Sequence, residues 1–171
     1  MNKVQKLNAA VALAVGAFIS TAAMANDTPI VGNVESKCSI FTDKEGVYGN
    51  PTPNKLSTAT TDGGVVPVIR YDVIQGGYYD AKIAYPDSFS SSPSLVDSVT
   101  WTGSTTVSTV SDTAMSDYET NKVSYNNVTE FDLHTAGTVW FNVTSTAEYG
   151  VGKSFPAGSY TALVTAECIA K

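Results

Sequence analysis

Residues able to do acid–base or nucleophilic chemistry are few in this chain of 171 residues, which has a single histidine, His134. A serine hydrolase needs a nucleophile on a sharp turn together with a histidine and a carboxylate, and no motif of that kind is present. His134 is therefore interpreted as a polar residue near a strand end. The sequence predicts no catalytic residues and a protein that is not an enzyme.

Candidate metal ligands and phosphate-binding loops are equally sparse. The acidic stretch with Asp112, Asp117 and Glu119 lacks the spacing and central glycine of a calcium loop. A loosely held calcium ion there is the alternative. A zinc site would need more histidine or cysteine than remains beside one cysteine pair. We therefore expect no metal and no cofactor.

The two cysteines, Cys38 and Cys168, lie near the two ends of the predicted mature chain. An even pair of cysteines in an oxidising compartment most simply forms one disulfide. Two unpaired, buried thiols are the alternative interpretation.

The amino terminus has the three parts of an export signal. Lys3 and Lys6 precede an uncharged apolar run at 9–19, and Ala23-Met24-Ala25 places small residues where a signal peptidase cuts. The run is shorter than the roughly 20 residues that a membrane span needs. The sequence thus predicts a signal peptide over 1–25 and a soluble exported chain that begins near Asn26.

Charge narrows the range of partners. The chain has 16 acidic and 10 basic residues, a net charge of −6, and the signal would remove two of the lysines. An acidic protein without a basic run is unsuited to nucleic acid or anionic lipid.

The pattern after the signal is that of an all-β protein. Turn residues recur at short intervals between segments rich in Thr, Ser, Val and Tyr, which predicts a β-sandwich or barrel in one domain, 37–171. Stretches 86–98 and 102–120 are interpreted as loops or short edge strands. The predicted strands with alternating patterns lie at 66–72, 79–85, 98–103, 122–129, 138–144 and 159–170.

The last of these strands has two distinct faces. Alternate residues fall on opposite faces, with Thr161, Leu163, Thr165, Glu167 and Ile169 on one of them. The opposite face carries Tyr160, Ala162, Val164, Ala166 and Cys168.

A short alternating segment, 26–36, precedes the first cysteine. Every second residue gives Thr28, Ile30, Gly32 and Val34, and Pro29 favours extended backbone before it. This segment is either the first strand of the sandwich or a donor strand that completes the sheet edge of another molecule.

Both ends of the predicted mature chain carry a resemblance to a known family. The stretch 33–40 (NVESKCSI) resembles the junction between donor segment and first strand in the archaic, spore-coat-U-like branch of chaperone–usher fimbrial (pilin) subunits. Gly158 is the fourteenth residue from the carboxyl terminus, and FPAGSYT at 155–161 resembles the start of the last strand in such subunits.

The resemblance implies an immunoglobulin-like sandwich that is incomplete and is filled by a donor strand from the next copy. Thr28, Ile30, Gly32 and Val34 would then be the donor residues. The groove edge on the last strand would be formed by Gly158, Tyr160, Ala162, Val164 and Ala166. A Cys38–Cys168 bridge would join the two strands that flank this groove, and would either brace it or mark a closed sandwich.

Two functions follow as expectations. The first is an exported subunit that passes through the periplasm and polymerises head to tail into a surface fimbria or coat, contributing to adhesion or biofilm. Its partners would be copies of itself, a periplasmic chaperone and an outer-membrane usher. The alternative is a monomeric secreted β-sandwich that binds a carbohydrate through aromatic residues such as Tyr78, Tyr79 or Trp101.

Overall fold

A computed structural model of the chain describes residues 29–31, 37–150 and 152–171. The chain divides into two compact units, 1–34 and 35–171. The predicted signal peptide, together with Thr28, Gly32 and Val34, lies outside the described residues. Within the described part, no helix is both long and apolar enough to cross a membrane.

In the described residues of the second unit, strands make up about half of the chain and are its main regular structure. Its helical parts are the 3₁₀ turns Thr60–Asp62 and Thr113–Met115 and the helical turn α1, Tyr118–Asn121. The strands are β1 Cys38–Lys44, β2 Gly49–Thr52, β3 Lys55–Ser57, β4 Val68–Val73, β5 Tyr79–Ala84, β6 Val99–Val110, β7 Val123–Tyr125, β8 Val128–Asp132, β9 Gly137–Tyr149 and β10 Thr165–Ala170.

The first sheet is organised around β9. Strand β6 pairs with β9 from Val99↔Tyr149 to Val110↔Val139, while β4 and then β3 pair with its other side. Strand β1 pairs with β4, and β2 pairs with β3. All these pairs are antiparallel. From the order of the strands, β1 and β2 lie along one edge of this sheet, and the long strand β6 forms the other.

The second sheet is smaller and has the order β10-β5-β8-β7, again antiparallel. Strands β7 and β8 form a hairpin whose turn contains Asn126, with φ of 52°. Asparagine tolerates this left-handed conformation better than most residues. Strand β10, near the carboxyl end of the chain, pairs with β5 from Thr165↔Ala84 to Ala170↔Tyr79 and forms one edge of this sheet.

The core lies between the two sheets, as predicted for a sandwich. Phe141 of β9 contacts Tyr71 of β4 edge to face at 5.5 Å and Phe131 of β8 at 4.4 Å, so it joins the two sheets. Each fully buried large side chain of this kind contributes about 1.5–3 kcal/mol through apolar burial. Other buried members are Ile69, Val73, Ala81, Ile83, Met115, Tyr118, Leu133, Val139 and Val143.

A second aromatic cluster is formed where loops meet the first sheet. The ring of Phe89 lies 4.7 Å from Trp101 and 5.1 Å from Tyr160, measured between centroids. Phe155 stacks on Tyr149 at 5.2 Å. The loops around 86–98 and 152–160 are therefore packed against the sheet through aromatic contacts.

The all-β sandwich is confirmed, but the bounds of several predicted strands differ; one of them, β9, continues to Tyr149 instead of ending at 144. Residues 102–110, interpreted from their Thr and Ser content as loop or short edge strand, continue β6, because hydroxyl residues fit the solvent face of a sheet. The predicted strand 122–129 is divided by the turn at Asn126. The last strand is paired only from Thr165 onward, so the predicted part 159–164 lies outside the sheet.

Candidate functional site: a groove between two edge strands

Strands β1 and β10 belong to different sheets and lie side by side at one end. Cys38 and Cys168 form a disulfide there, with 6.3 Å between their Cα atoms, which confirms the predicted pairing. Among the described residues, β1 forms a ladder with β4 and β10 forms a ladder with β5. The bridge therefore joins two sheet edges that are not bonded to each other as a ladder.

Away from the disulfide, a groove opens between the continuation of β1 and the segment that leads into β10. One part has a volume of about 440 Å³ and the next about 400 Å³. Gly46 and Tyr48 from the first side, and Thr161 and Ala162 from the second, line both parts. The two parts are therefore continuous.

The first part of this groove is lined mainly by apolar surface, whereas the second part has a mixed lining. Ile69 and Pro67 line it from the first sheet, and Val164 lines it from the segment before β10. At the rim, Leu163 is 66% exposed and Val47 is 55% exposed. Apolar surface of this kind, beside strand edges, is suited to an extended apolar segment.

One tyrosine marks the polar part of the wall. The Tyr48 hydroxyl lies 2.9 Å from the Ser145 hydroxyl, which belongs to the inner side of β9. Burial raises the pKa of Tyr48, and the hydrogen bond to Ser145 opposes that rise. Tyr48 thus fixes the irregular stretch between β1 and β2 against the sheet.

The segment 158–164 keeps the alternation of a strand although it lacks a strand's pairing. Tyr160, Ala162 and Val164 are half-buried, whereas Thr161 and Leu163 are exposed. Its described backbone pairing is an isolated bridge between Thr161 and Ser91.

Gly158, at the start of that segment, has φ of 152°, and an added Cβ would lie 2.6 Å from Pro93. Both the backbone conformation and the close approach require glycine at this position. The Tyr160 hydroxyl donates a hydrogen bond to the Pro156 carbonyl at 2.6 Å, which fixes the same turn.

The structure brings most of the predicted groove-edge residues together. Gly158, Tyr160, Ala162 and Val164 line the groove. Ala166 packs against the core instead. Of the predicted donor residues, Ile30 is described, and its side chain is 99% exposed.

The opposite side of the groove was missed by the sequence patterns. Glu45, Gly46 and Tyr48 lie in a stretch between two strands with a register shift at Thr42–Lys44, where the period of two is lost. A search for alternating residues has no signal to follow in such a stretch.

The aromatic residues considered for carbohydrate binding lie in three different settings. Tyr78 is exposed, whereas the Tyr79 hydroxyl accepts a hydrogen bond from the Lys37 backbone N–H at 2.9 Å. Trp101 belongs to the aromatic cluster with Phe89.

The ionisable residues near His134 form a tie between α1 and the loop after β8. His134 Nε2 lies 3.1 Å from the Asp117 carboxylate, and its Nδ1 lies 2.9 Å from the Thr135 hydroxyl. The ring is edge-on to buried Tyr118 at 4.8 Å. Thr135, His134 and Asp117 thus form a hydroxyl–histidine–carboxylate series, as in a catalytic triad. The hydroxyl, however, is on the residue next to the histidine, and the contacts of His134 hold α1 in place.

The acidic residues considered as calcium ligands, Asp112, Asp117 and Glu119, each contact a different partner. Asp112 accepts the Ala114 N–H at 2.8 Å, and Glu119 accepts the Val107 N–H at 2.7 Å. Across residues 29–31, 37–150 and 152–171, no group of three or more His, Cys, Asp or Glu side chains converges as metal ligands would.

Comparisons with protein-family models, with curated proteins and with solved structures found no match to this chain. The groove between β1 and the segment leading into β10 is therefore the candidate site on the strength of its own geometry.

Proposed function

We propose that the protein is an exported structural subunit that polymerises by donor-strand exchange. Residues 26–36 of one copy would enter the groove between β1 and 158–170 of the next copy. The observation that carries this proposal is the groove itself, which runs between two sheet edges and is lined by apolar residues from both.

The order of the strands supports an immunoglobulin-like sandwich that lacks its last strand. Immunoglobulin-type domains have strands A, B, E and D in one sheet and C, F and G in the other. With β1–β2 as A and β3–β4 as B, the first sheet reads A-B-E-D when β9 is E and β6 is D. In the second sheet β5 takes the place of C and β10 that of F, and the described residues supply no strand beyond β10 in the place of G.

The amino-terminal segment has suitable chemistry for that missing strand. Ile30 and Val31 are apolar and almost fully exposed. An extended peptide gains main-chain hydrogen bonds from a sheet edge, and its alternate side chains fill pockets. Burial of an isoleucine side chain adds roughly 1.5–3 kcal/mol.

This mode of assembly would give a filament. The donor segment and the groove are different surfaces of the same chain, so the contact is head to tail and an open polymer forms unless the rotation happens to close a ring. A periplasmic chaperone that covers the groove before assembly, and an outer-membrane usher, are the partners that such a subunit would need.

The proposal is tested by gel electrophoresis of the exported protein with and without prior heating. We expect a ladder in the unheated sample, and we expect Ile30→Asp to abolish it because a carboxylate would be buried without a partner. Val31→Asp is the matched control, since the alternate position should face away from the groove. A folded monomer in the unchanged protein, or equal ladders in both variants, would contradict the proposal.

A further inference from the structure

Strand β6 forms a long edge on the side of the first sheet opposite to β1. It has 12 residues and pairs with β9 on one side. A long edge strand presents unpaired N–H and C=O groups that another chain can bond. A protein that assembles by strand addition therefore needs a way to favour one edge over the other.

Two charged side chains bond the backbone at the middle of this edge. Glu119 Oε2 accepts the N–H of Val107 at 2.7 Å, and Lys122 Nζ donates to the carbonyl of Thr105 at 3.0 Å. Residues two apart on an antiparallel strand direct their backbone groups to the same side. Glu119 and Lys122 thus use neighbouring groups that an added strand would need.

Glu119 and Lys122 also form an ion pair with each other. Hydrogen bonds with a charged partner are about twice as strong as neutral ones. An incoming strand would have to displace both charged groups and replace their bonds with neutral ones.

The helical turn that carries Glu119 is itself anchored. Tyr118 is buried, and its hydroxyl accepts the Thr135 N–H at 3.1 Å. Asp117 accepts a hydrogen bond from Asn121 at 2.8 Å and contacts His134. Glu119 and Lys122 are consequently held over β6 by contacts with the core and with the loop after β8.

Next to Lys122, the edge of β6 faces the β7–β8 hairpin across a small hollow. Gly103 and Thr105 line one side and Ser124 and Asn126 the other, and the volume is about 150 Å³. A hollow of this size has room for ordered water and is too small for an additional strand.

We propose that Glu119 and Lys122 form an edge-blocking pair that prevents strand addition at β6. The pair makes the groove between β1 and 158–170 the preferred edge, an inference that rests on the proposed function for the identity of the preferred strand. Glu119 and Lys122 are accordingly residues that determine the specificity of assembly.

The test compares two double variants of the full chain. Glu119→Ala with Lys122→Ala removes the edge-blocking pair, and Asp97→Ala with Lys153→Ala removes an exposed ion pair of 3.0 Å between two loops. Net charge is the same in both. Sedimentation measures association, and amide hydrogen exchange of 99–107 measures pairing at β6.

We expect the edge-blocking variant to associate at a concentration at least tenfold lower than the control, with protection of 99–107 that rises with concentration. Lys122→Arg, which keeps a cationic donor, should behave as the unchanged protein. A folding defect in the double variant would lower the protection of 99–107 instead of raising it. The proposal is overturned if the edge-blocking variant matches the control in both measurements. It is also overturned if Lys122→Arg associates as strongly as the edge-blocking variant. Because protection of 99–107 concerns β6 alone, this readout is independent of whether Ile30→Asp abolishes the ladder.

Discussion

At the scale of single residues, Tyr71 of β4 connects the two sheets. Its side chain is fully buried, and its hydroxyl donates to the Glu167 carbonyl of β10 at 3.2 Å. Burial raises the pKa of Tyr71 well above its usual value. The hydroxyl therefore stays protonated in the folded chain at a pH where an unfolded tyrosine ionises.

This difference predicts a loss of stability at alkaline pH. Above pH ~10 the unfolded chain releases a proton that folded Tyr71 retains, so the free energy of unfolding falls by up to about 1.4 kcal/mol per pH unit. Tyr71→Phe should flatten this fall and should cost about 1 kcal/mol near neutral pH through the lost hydrogen bond. Urea unfolding at several pH values measures both, with exposed Tyr78→Phe as control. An unchanged alkaline slope in Tyr71→Phe would contradict the prediction.

The sequence identified the partner of a residue where the residue type leaves one simple choice, and failed where the partner depends on the tertiary structure. Cys38 and Cys168 were identified because an exported chain with two cysteines has one simple pairing. Glu119 was noticed as a candidate calcium ligand, whereas the structure bonds it to Val107. This hydrogen bond joins residues that tertiary packing brings together, so no local sequence pattern predicts it.

At the scale of elements, the segment 158–164 and the stretch after β1 form the walls of the groove. Ala162 lies where the two parts of the groove meet. A larger side chain there would occupy the space that we assign to the donor strand.

Ala162→Phe should therefore reduce the ladder of unheated protein by tenfold or more while leaving the fold intact, because the groove has room for a ring in the isolated chain. Glu167→Phe, on the exposed face of β10, is the control and should keep the ladder. Near-ultraviolet circular dichroism checks folding in both variants. A full ladder in folded Ala162→Phe would show that the groove is not the site of assembly.

The elements were predictable where alternation was clean and continuous. Strands β4 and β5 coincide closely with the predicted segments because one face of each is buried. Strand β9 contains the predicted segment 138–144 but continues to Tyr149. For 102–110 the sequence left loop and short edge strand open, because a Thr-rich composition is typical of both, and the structure shows these residues as part of the long edge strand β6. The unpaired part of the last segment has a strand's alternation, but pairing depends on a neighbour that a single sequence does not specify.

At the scale of the whole molecule, the disulfide joins the first and last strands of the second unit across 130 residues. The chain-entropy description gives about 5 kcal/mol of stabilisation for a loop of this length. That value is a large part of the stability of an ordinary domain.

Replacement of both cysteines by serine should accordingly lower the free energy of unfolding by about 3–5 kcal/mol, because the unfolded chain gains freedom. Chemical denaturation of the oxidised protein and of the double variant measures the difference. Reduction of the unchanged protein is the matching experiment and should give a loss of similar size. A difference below 1 kcal/mol would show that the bridge does not stabilise the fold by restricting the unfolded chain.

The central claim is that 26–36 completes the sheet edge of another copy through the groove. Its most direct test is amide hydrogen exchange on a chain lacking 26–36, with and without a synthetic peptide of that sequence. We predict protection in 45–48 and 158–168 and a higher midpoint of thermal unfolding, neither of which a peptide with Ile30→Asp should produce. Absence of protection with the unchanged peptide, or equal protection by both peptides, would contradict the account.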